Sequence, residues 1–322
     1  MYKEVLPNIF LIEIPLPNNP LKALNSYIIK GQERYFMIDT GMNRRECSEV
    51  MYTALKKLNV QLDKTDFFIT HMHSDHCGLV GSLATDTSKI FCSYPDAEVI
   101  LEPAARGEEL LAGARGYGFP EDELQNVLER HPGFKYASQG EIKIDYVQDG
   151  DNIEIGDYHF QCVVTPGHTD GHTCLYEPDK KVLVSGDHIL DDITPNISLF
   201  ISGNPLADYL ANLEKVSQLD IELTLPGHRN LIYDVKKRIA ELKQHHQERN
   251  AEILAILRRG RATAYQVATQ MSWDIDCPTW EEYPTPQKWF ASGEAIAHLR
   301  YLEGLGQVRK ELSDGIKVFS LS

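Results

Sequence analysis

His71-Met72-His73-Ser74-Asp75-His76 decides how the rest of this 322-residue chain reads. Three imidazoles and one carboxylate fall within six residues, after the apolar run Phe67-Phe68-Ile69 and before Cys77-Gly78-Leu79-Val80-Gly81. Packing in a helix or a strand has no use for this spacing. A short irregular loop can turn His71 and His73 toward one cation and Asp75 and His76 toward another. The stretch reads as half of a two-metal site, and the missing donors are to be sought in later loops.

Three loops supply compatible donors. Thr165-Pro166-Gly167-His168-Thr169-Asp170-Gly171-His172 follows a strand ending at Val164. Ser185-Gly186-Asp187-His188 follows the strand Lys181–Val184, and Leu225-Pro226-Gly227-His228 follows a strand beginning at Glu222. The glycine before each donor lets the backbone turn tightly and approach a metal. Imidazole and carboxylate without thiolate suit zinc, iron or manganese in an open catalytic site better than a closed structural zinc site. Such a site brings the pKa of bound water to about 7 and polarises a carbonyl or phosphoryl oxygen.

The surrounding pattern is a scaffold for these loops. Strands are expected at 9–14, 25–30 and 35–38, the first ended by Pro15, Pro17 and Pro20 and the last stopping at Asp39-Thr40-Gly41. This is the opening of a β-meander. Val50, Met51, Ala54, Leu55 and Leu58 place a helix over 46–58. A buried strand over 66–70 delivers the histidine-rich loop at its C-terminal end, where open sheets place ligand sites. A helix is expected from Gly78 to Ala84, and a strand over 90–93. Between 95 and 136 helical patterns at 97–111 and 121–130 flank a glycine-rich bend, Gly113 to Pro120. This insertion reads either as a lid over the site or as a surface elaboration. Further strands follow near 146–147, 152–155, 159–165, 174–176, 181–185 and 222–225, with a helix over 206–219. The two runs of strands, each closed by a helix, suggest a duplicated half. A domain boundary is placed within the helix 231–257. Beyond it come helices at 265–271 and 291–302, then alternating runs at 307–312 and 316–321 around Ser313-Asp314-Gly315, a strong hairpin signal. The sequence holds no polar linker, so this tail is expected to pack on the first part.

Composition sets broad limits. Apolar residues make up 42% and charged residues 25%, as in ordinary globular proteins. No run of about 18 apolar residues exists, so no membrane span is expected. The start, Met1-Tyr2-Lys3-Glu4-Val5, has no apolar leader core, and the six cysteines form no Cys-x-x-Cys pair. A cytoplasmic protein with reduced thiols is the expectation. The net charge of −15 argues against a general nucleic-acid coat. Residues 1–240 hold 22 Lys+Arg against 36 Asp+Glu, and 241–322 hold 10 against 11, so the acidity lies in the first part.

Taken in order, Ile38-Asp39-Thr40-Gly41, the His71–His76 stretch, Thr165-Pro166-Gly167-His168-Thr169, Ser185-Gly186-Asp187 and Leu225-Pro226-Gly227-His228 resemble the five motifs of the metallo-β-lactamase superfamily. The resemblance spans about residues 1–235. It implies an α/β (α+β) fold, a four-layer αββα sandwich, with a dinuclear site at the sheet edge. By that resemblance His71, His73 and His168 hold one metal, and Asp75, His76 and His228 the other. Asp187 bridges both, and Asp75 also acts in proton transfer. Asp39 orients the ligand loops from behind. Two divalent metal ions are implied, zinc first, with iron or manganese as alternatives. From about 241 the tail resembles the winged-helix-like domain of β-lactamase-like proteins, through Trp273, Trp280, Pro286-Gln287-Lys288-Trp289-Phe290 and Ala295-Ile296-Ala297-His298-Leu299. That group includes single-strand endoribonucleases and thioester or lactone hydrolases.

The remaining candidates are weaker. His172 and His188 adjoin ligands and are read as hydrogen-bonding supports or substrate contacts. His131 and His159 read as structural, His245 and His246 as exposed on a helix, and His298 as a core or interface residue. Cys77 reads as a small buried hydrophobe rather than a nucleophile. Tyr117 and Phe119 either line a substrate pocket or fill a core. The helix 291–302 offers only Arg300 against Glu294, too little for DNA recognition, so the tail is assigned a structural, dimerisation or pocket role. The expected function is a metal-dependent hydrolase of an ester, thioester or lactone of a small-molecule metabolite. A single-strand endoribonuclease acting on RNA is a second reading, which the acidic surface disfavours. A mononuclear iron oxygenase of the persulfide dioxygenase kind is a third.

Overall fold

The computed structural model describes residues 2–322 apart from 104, 131, 198–202 and 275–276, and the side chains of 105–109, 128–130, 132 and 134 are likewise not described. The expectation for His131 lies outside the described residues.

The first sheet opens as an antiparallel meander of β1 (Tyr2–Leu6), β2 (Ile9–Pro15), β3 (Ala23–Lys30) and β4 (Tyr35–Ile38). No strand is expected over β1, because Lys3 and Glu4 break any alternation. It forms as an exposed edge strand on β2, through a turn in which Asn8 takes φ 63° and its N–H donates to Glu4 Oε1 at 2.9 Å. The helix α1 (Arg45–Leu58) buries Cys47, Met51, Ala54, Leu55 and Leu58 and ends at Asn59 in the left-handed region. It crosses over to β5 (Thr65–Phe68), which runs parallel to β4. Two single turns follow, α2 (Ser74–Cys77) and α3 (Val80–Leu83), then β6 (Ile90–Ser93). The histidine-rich stretch is therefore not irregular throughout: Asp75 and His76 already sit on the helical turn α2, with His73 at its N-cap.

The helix expected over 97–111 is two, α4 (Tyr94–Leu101) and α5 (Ala105–Arg115), with Pro103 between them, where a proline interrupts helical hydrogen bonding. Next come α6 (Glu121–Arg130), α7 (Pro132–Lys135) and β7 (Asp145–Val147), which completes a seven-stranded sheet in sequence order, parallel from β4 onward. The second sheet holds β8 (Asn152–Ile155), β9 (Tyr158–Val164), β10 (Thr173–Glu177) and β11 (Val182–Gly186). After α8 (Pro205–Ser217) it gains β12 (Leu223–Pro226), in the order β12-β11-β10-β9-β8. Only β11 and β12 pair in parallel.

The layers follow from what each face buries. Between the sheets, Tyr27, Phe36 and Phe68 of the first meet Phe160, Leu175 and Leu225 of the second. The outer face of the first sheet is covered by α1 to α4, and that of the second by α8 and the start of α9 (Val235–Leu257). The molecule is thus a four-layer αββα sandwich. Beyond it lie β13 (Ala262–Thr263), α10 (Ala264–Ala268), α11 (Thr285–Gly304), β14 (Val308–Ser313) and β15 (Ile316–Leu321), the strands ordered β13-β15-β14. The 95–136 segment is no separate elaboration of the surface. Its Ala114, Tyr117, Phe119, Leu124 and Val127 share one apolar core with Ile253, Val267, Trp289 and Leu299 of the tail. Glu123 fixes the joint, accepting from Thr285 Oγ1 at 2.5 Å and Lys288 Nζ at 2.5 Å.

Candidate metal centre

Strand direction brings the donors together. β9, β11 and β12 run the same way, so the segments after Val164, Gly186 and Pro226 leave one end of the second sheet. Thr173 N–H donates to Thr70 O at 2.9 Å and Asn25 N–H to Gly227 O at 2.7 Å, tying that end to the first sheet. Two glycines permit the close approach. A Cβ on Gly227 would stand 2.5 Å from Asp187 Oδ1 and 2.8 Å from His76 Cε1. Gly186, at φ 47°, would bring one within 2.9 Å of Thr70.

The result is one cluster of seven side chains. His71 Nε2, His73 Nδ1 and His168 Nε2 stand 3.0, 3.0 and 3.2 Å apart pairwise. His76 Nε2 and His228 Nε2 are 3.3 Å apart, with Asp75 Oδ2 at 3.9 and 3.4 Å from them. Asp187 joins the two groups, with Oδ1 3.4 Å from His76 Nε2 and Oδ2 3.5 Å from His228 Nε2 and 3.7 Å from His168 Nε2. Each of the groups His71/His73/His168, His71/His76/Asp187 and Asp75/His76/His228 could hold a metal ion. All seven expected ligands are thereby brought to one place.

The hydrogen bonds behind the rings say which nitrogens face inward as lone pairs. His168 Nδ1 donates to Asn196 O at 2.5 Å, His228 Nδ1 to Ala23 O at 2.7 Å and His76 Nδ1 to Asp39 Oδ2 at 2.7 Å. Thr70 Oγ1 donates to Asp39 Oδ2 at 2.8 Å, which leaves its own lone pair for His71 Nδ1–H at 3.0 Å. In their neutral form, four imidazoles thus present Nε2 lone pairs to one small space. Asp187 Oδ1, also buried there, accepts no hydrogen bond among the described residues. Converging lone pairs and an orphaned carboxylate oxygen repel one another unless a cation lies between them, so the residues fit metal ions.

The charges agree. Burial, then the neighbouring His76 charge, pushes His71 well below its usual range, and burial takes His73 down to about 3. Against burial, Asp187 holds His76 well above its usual range and His228 up to about 9. Burial opposes ionisation of Asp75, yet His76 and His228 hold it at about 2. The carboxylates of this pocket call for positive charge, which a bound metal supplies.

The supports are partly expected and partly new. Asp39, at φ 56° after β4, accepts from Thr70 N–H at 2.9 Å as well as from Thr70 Oγ1 and His76. His172 Nε2 accepts the Asp187 N–H at 3.1 Å, while its Nδ1 meets Thr165 Oγ1 at 2.8 Å. It therefore holds the backbone of a candidate ligand. His188 is buried beside Tyr209, 5.2 Å between rings, and neither ring nitrogen finds a hydrogen bond among the described residues. The sequence reading missed Asp96. Buried on α4, it accepts from Met72 N–H at 2.9 Å, Thr169 Oγ1 at 2.6 Å and Gly171 N–H at 2.7 Å, and burial pushes its carboxyl up to about 6. It clamps the loop of His71 and His73 to the loop of His168.

Other expectations fare variously. Cys77 is buried, its thiol pushed up by burial. His246 is buried, not exposed, and its Nδ1 lies 3.2 Å from His298 Nε2. His159 stands on the open face of β9. Phe119 is a core residue, edge-on to Trp289 at 5.5 Å between rings.

Among known proteins, the chain is 24% identical over 257 residues to the probable metallo-hydrolase YqjP of Bacillus subtilis, covering 76% of this chain and 79% of that one. It is 27% identical over 223 residues to the human acyl-coenzyme A thioesterase MBLAC2, covering 64% and 73%. The crystal structure of the metallo-beta-lactamase family protein TTHA1429 from Thermus thermophilus superposes with a TM-score of 0.83 at 28% identity, over 99% of this chain and all of that one. The Metallo-beta-lactamase superfamily profile matches residues 21–228, and with its motifs gathered in one cluster at the sheet edge the chain belongs to that superfamily.

Proposed function

We propose that this chain is a dinuclear metal-dependent hydrolase of a small acyl ester, with thioesters as the preferred class. The observation that carries the reading is the pair of donor groups sharing Asp187. His71, His73 and His168 would hold one metal, Asp75, His76 and His228 the second, and Asp187 both. Bound there, metal ions acidify water and polarise an acyl carbonyl. Asp75, buried in the second group and held ionised by His76 and His228, would also be the carboxylate there to accept a proton from water. Asp39, Asp96 and His172 keep the donors in position. The thioester preference is supported by the acyl-coenzyme A thioesterase among the relatives. We read the tail as a winged-helix-like domain, supported by its helix, strand, helix, helix, hairpin order and by β13 pairing with β15. Its last helix buries Ala291, Ala295, Ile296, Leu299 and Leu302, which supports a structural role over entry into a nucleic-acid groove.

The test is thiol release from a panel of acyl-coenzyme A thioesters and matched oxygen esters, with metal content measured on the same protein. Two zinc ions per chain and chelator-sensitive thiol release are expected. Asp187→Ala should lower turnover by roughly 1,000-fold or more, the scale of losing a group that acts at the reacting centre. A fully active Asp187→Ala protein, or a single iron with no thiol release, would overturn the reading.

A further inference from the structure

Away from the ligand cluster, a cleft of about 410 Å³ opens where four parts of the chain meet. Tyr117 comes from the bend between α5 and α6, Arg300 and Glu303 from α11, Lys310 and Lys317 from the β14–β15 hairpin, and Gly203 from just before α8. Among the described residues three cations face one carboxylate, and that carboxylate is engaged by Lys310 at 3.0 Å. This is a local excess of positive charge in a chain whose net charge is −15.

The cations are placed, not scattered. Tyr117 is buried, and its hydroxyl accepts from Arg300 Nε at 2.9 Å. Lys317 Nζ lies 3.9 Å from the centre of the same ring, whose plane is stacked on Phe319 at 6.3 Å between centres. Lys317 N–H donates to Gly116 O at 2.8 Å, which fixes the hairpin to the bend. A phenylalanine at 117 would fill the core equally well. What the hydroxyl and the ring face add is a post that holds a guanidinium and an ammonium on one wall. Preorganised cations of this kind recognise phosphate oxygens.

The cleft is also linked to the centre. Gly203 precedes Asn204, whose Oδ1 accepts from Ala207 N–H and so caps α8. Six residues on, roughly 9 Å along a helix, Tyr209 packs against Gly167, where an added Cβ would stand 2.5 Å from Tyr209 Cβ. His168 is the next residue. One rigid element therefore runs from the cationic cleft to a metal donor.

We propose that this cleft binds the phosphate groups of a nucleotide-borne acyl thioester, anchoring the far end of a substrate whose acyl carbonyl lies at the His/Asp cluster; the proposal rests on the thioester reading above. The cleft is larger than a lone phosphate requires and lies within the range of small-molecule sites. Its cations come from two separate elements, a layout suited to more than one phosphate.

The test uses the full chain. Binding of adenosine 3′,5′-bisphosphate and of inorganic pyrophosphate is measured by calorimetry, for wild type, Lys317→Ala and Lys317→Arg. Hydrolysis is then compared for one acyl group on coenzyme A and on pantetheine, which lacks the nucleotide. Wild type should bind the bisphosphate, and Lys317→Ala should weaken it about tenfold, the scale of one charge-assisted contact, with Lys317→Arg restoring most of it. The ratio of kcat/KM for the coenzyme A substrate to that for pantetheine should fall by a similar factor in Lys317→Ala, through KM. Equal kcat/KM for the two carriers in wild type overturns the cleft and leaves the thioesterase reading standing. Binding of pyrophosphate without bisphosphate overturns the nucleotide assignment in favour of free phosphate. Hydrolysis of neither thioester overturns the thioester reading itself, and the carrier assignment with it.

Discussion

Asp39 sets the tautomer of His76 through one oxygen and the position of Thr70 through both, and Thr70 in turn receives His71 Nδ1–H. One carboxylate thus orients a ring in each of the two candidate donor groups. In Asp39→Asn an amide N–H₂ must replace one accepting oxygen, so one of these donors faces another. Metal affinity should fall about 10- to 100-fold, as for other residues that orient ligands, with stability lower by about 1–3 kcal/mol for the donor left unpaired. Competition against a chromogenic chelator reads the first and urea denaturation the second; unchanged affinity would show that Asp39 only fills space. Asp39 was legible because it ends a short apolar strand within a motif. Asp96 was not, because nothing in Tyr94-Pro95-Asp96-Ala97 differs from an ordinary helix start. Its three donors lie 24, 73 and 75 residues away, and only the fold makes them neighbours.

At the scale of elements, α9 carries the sharper lesson. Its buried residues Val235, Ile239, Leu242, His246, Arg249, Ile253 and Ile256 fall alternately four and three apart, a continuous stripe. The polar neighbours of His246 hid a position that its spacing from Leu242 and Ile253 marks as buried. Strands survived this kind of reading better, since β8, β15 and the β4 and β6 spans need only short apolar runs between turns. The buried pair His246 and His298 has a consequence for pH. His298 Nδ1 donates to Asn250 Oδ1 at 2.8 Å, so its Nε2 accepts from His246 Nδ1, and His246 Nε2 is left without a partner among the described residues. Glu294, His245 and Arg249 also face the pair. Burial, then the facing His298, takes His246 down to about 3, and burial takes His298 to about 4. Both therefore bind fewer protons folded than unfolded. Their contribution is complete above the unfolded pKa of about 6.5 and is lost as pH falls toward 4, by several kcal/mol in order of magnitude. Urea midpoints at pH 7 and pH 4.5 should differ accordingly, and His246→Leu should flatten the difference. An equal slope in both proteins would place the acid sensitivity elsewhere.

On the scale of the whole molecule, α9 starts in the helical layer on the second sheet, through Val235, Ile239 and Leu242, and ends in the tail core, through Ile253, Ile256 and Leu257. The sequence marked the change of texture within this helix and the lack of a polar linker. It could not show that the 95–136 segment closes the same core, because the contacts join Phe119 to Trp289 and Glu123 to Lys288 across more than a hundred residues. While α4 covers the first sheet, the part from Ala114 to Val127 is no mere decoration of the surface. It is the partner that the tail packs on. A chain ending at Gly260 loses α10, α11 and the hairpin. It uncovers Ala114, Tyr117, Phe119, Leu124, Val127, Ile253, Ile256 and Leu257 together. At about 1.5–3 kcal/mol for each large apolar side chain, the loss is of the order of the whole stability of a typical domain, about 5–15 kcal/mol. The 1–260 chain should therefore be recovered insoluble or as dye-binding, loosely packed species, and the full chain should unfold in a single calorimetric transition. A monodisperse, metal-replete 1–260 protein would mean instead that the sandwich stands alone and that α5 and α6 repack on it without the tail.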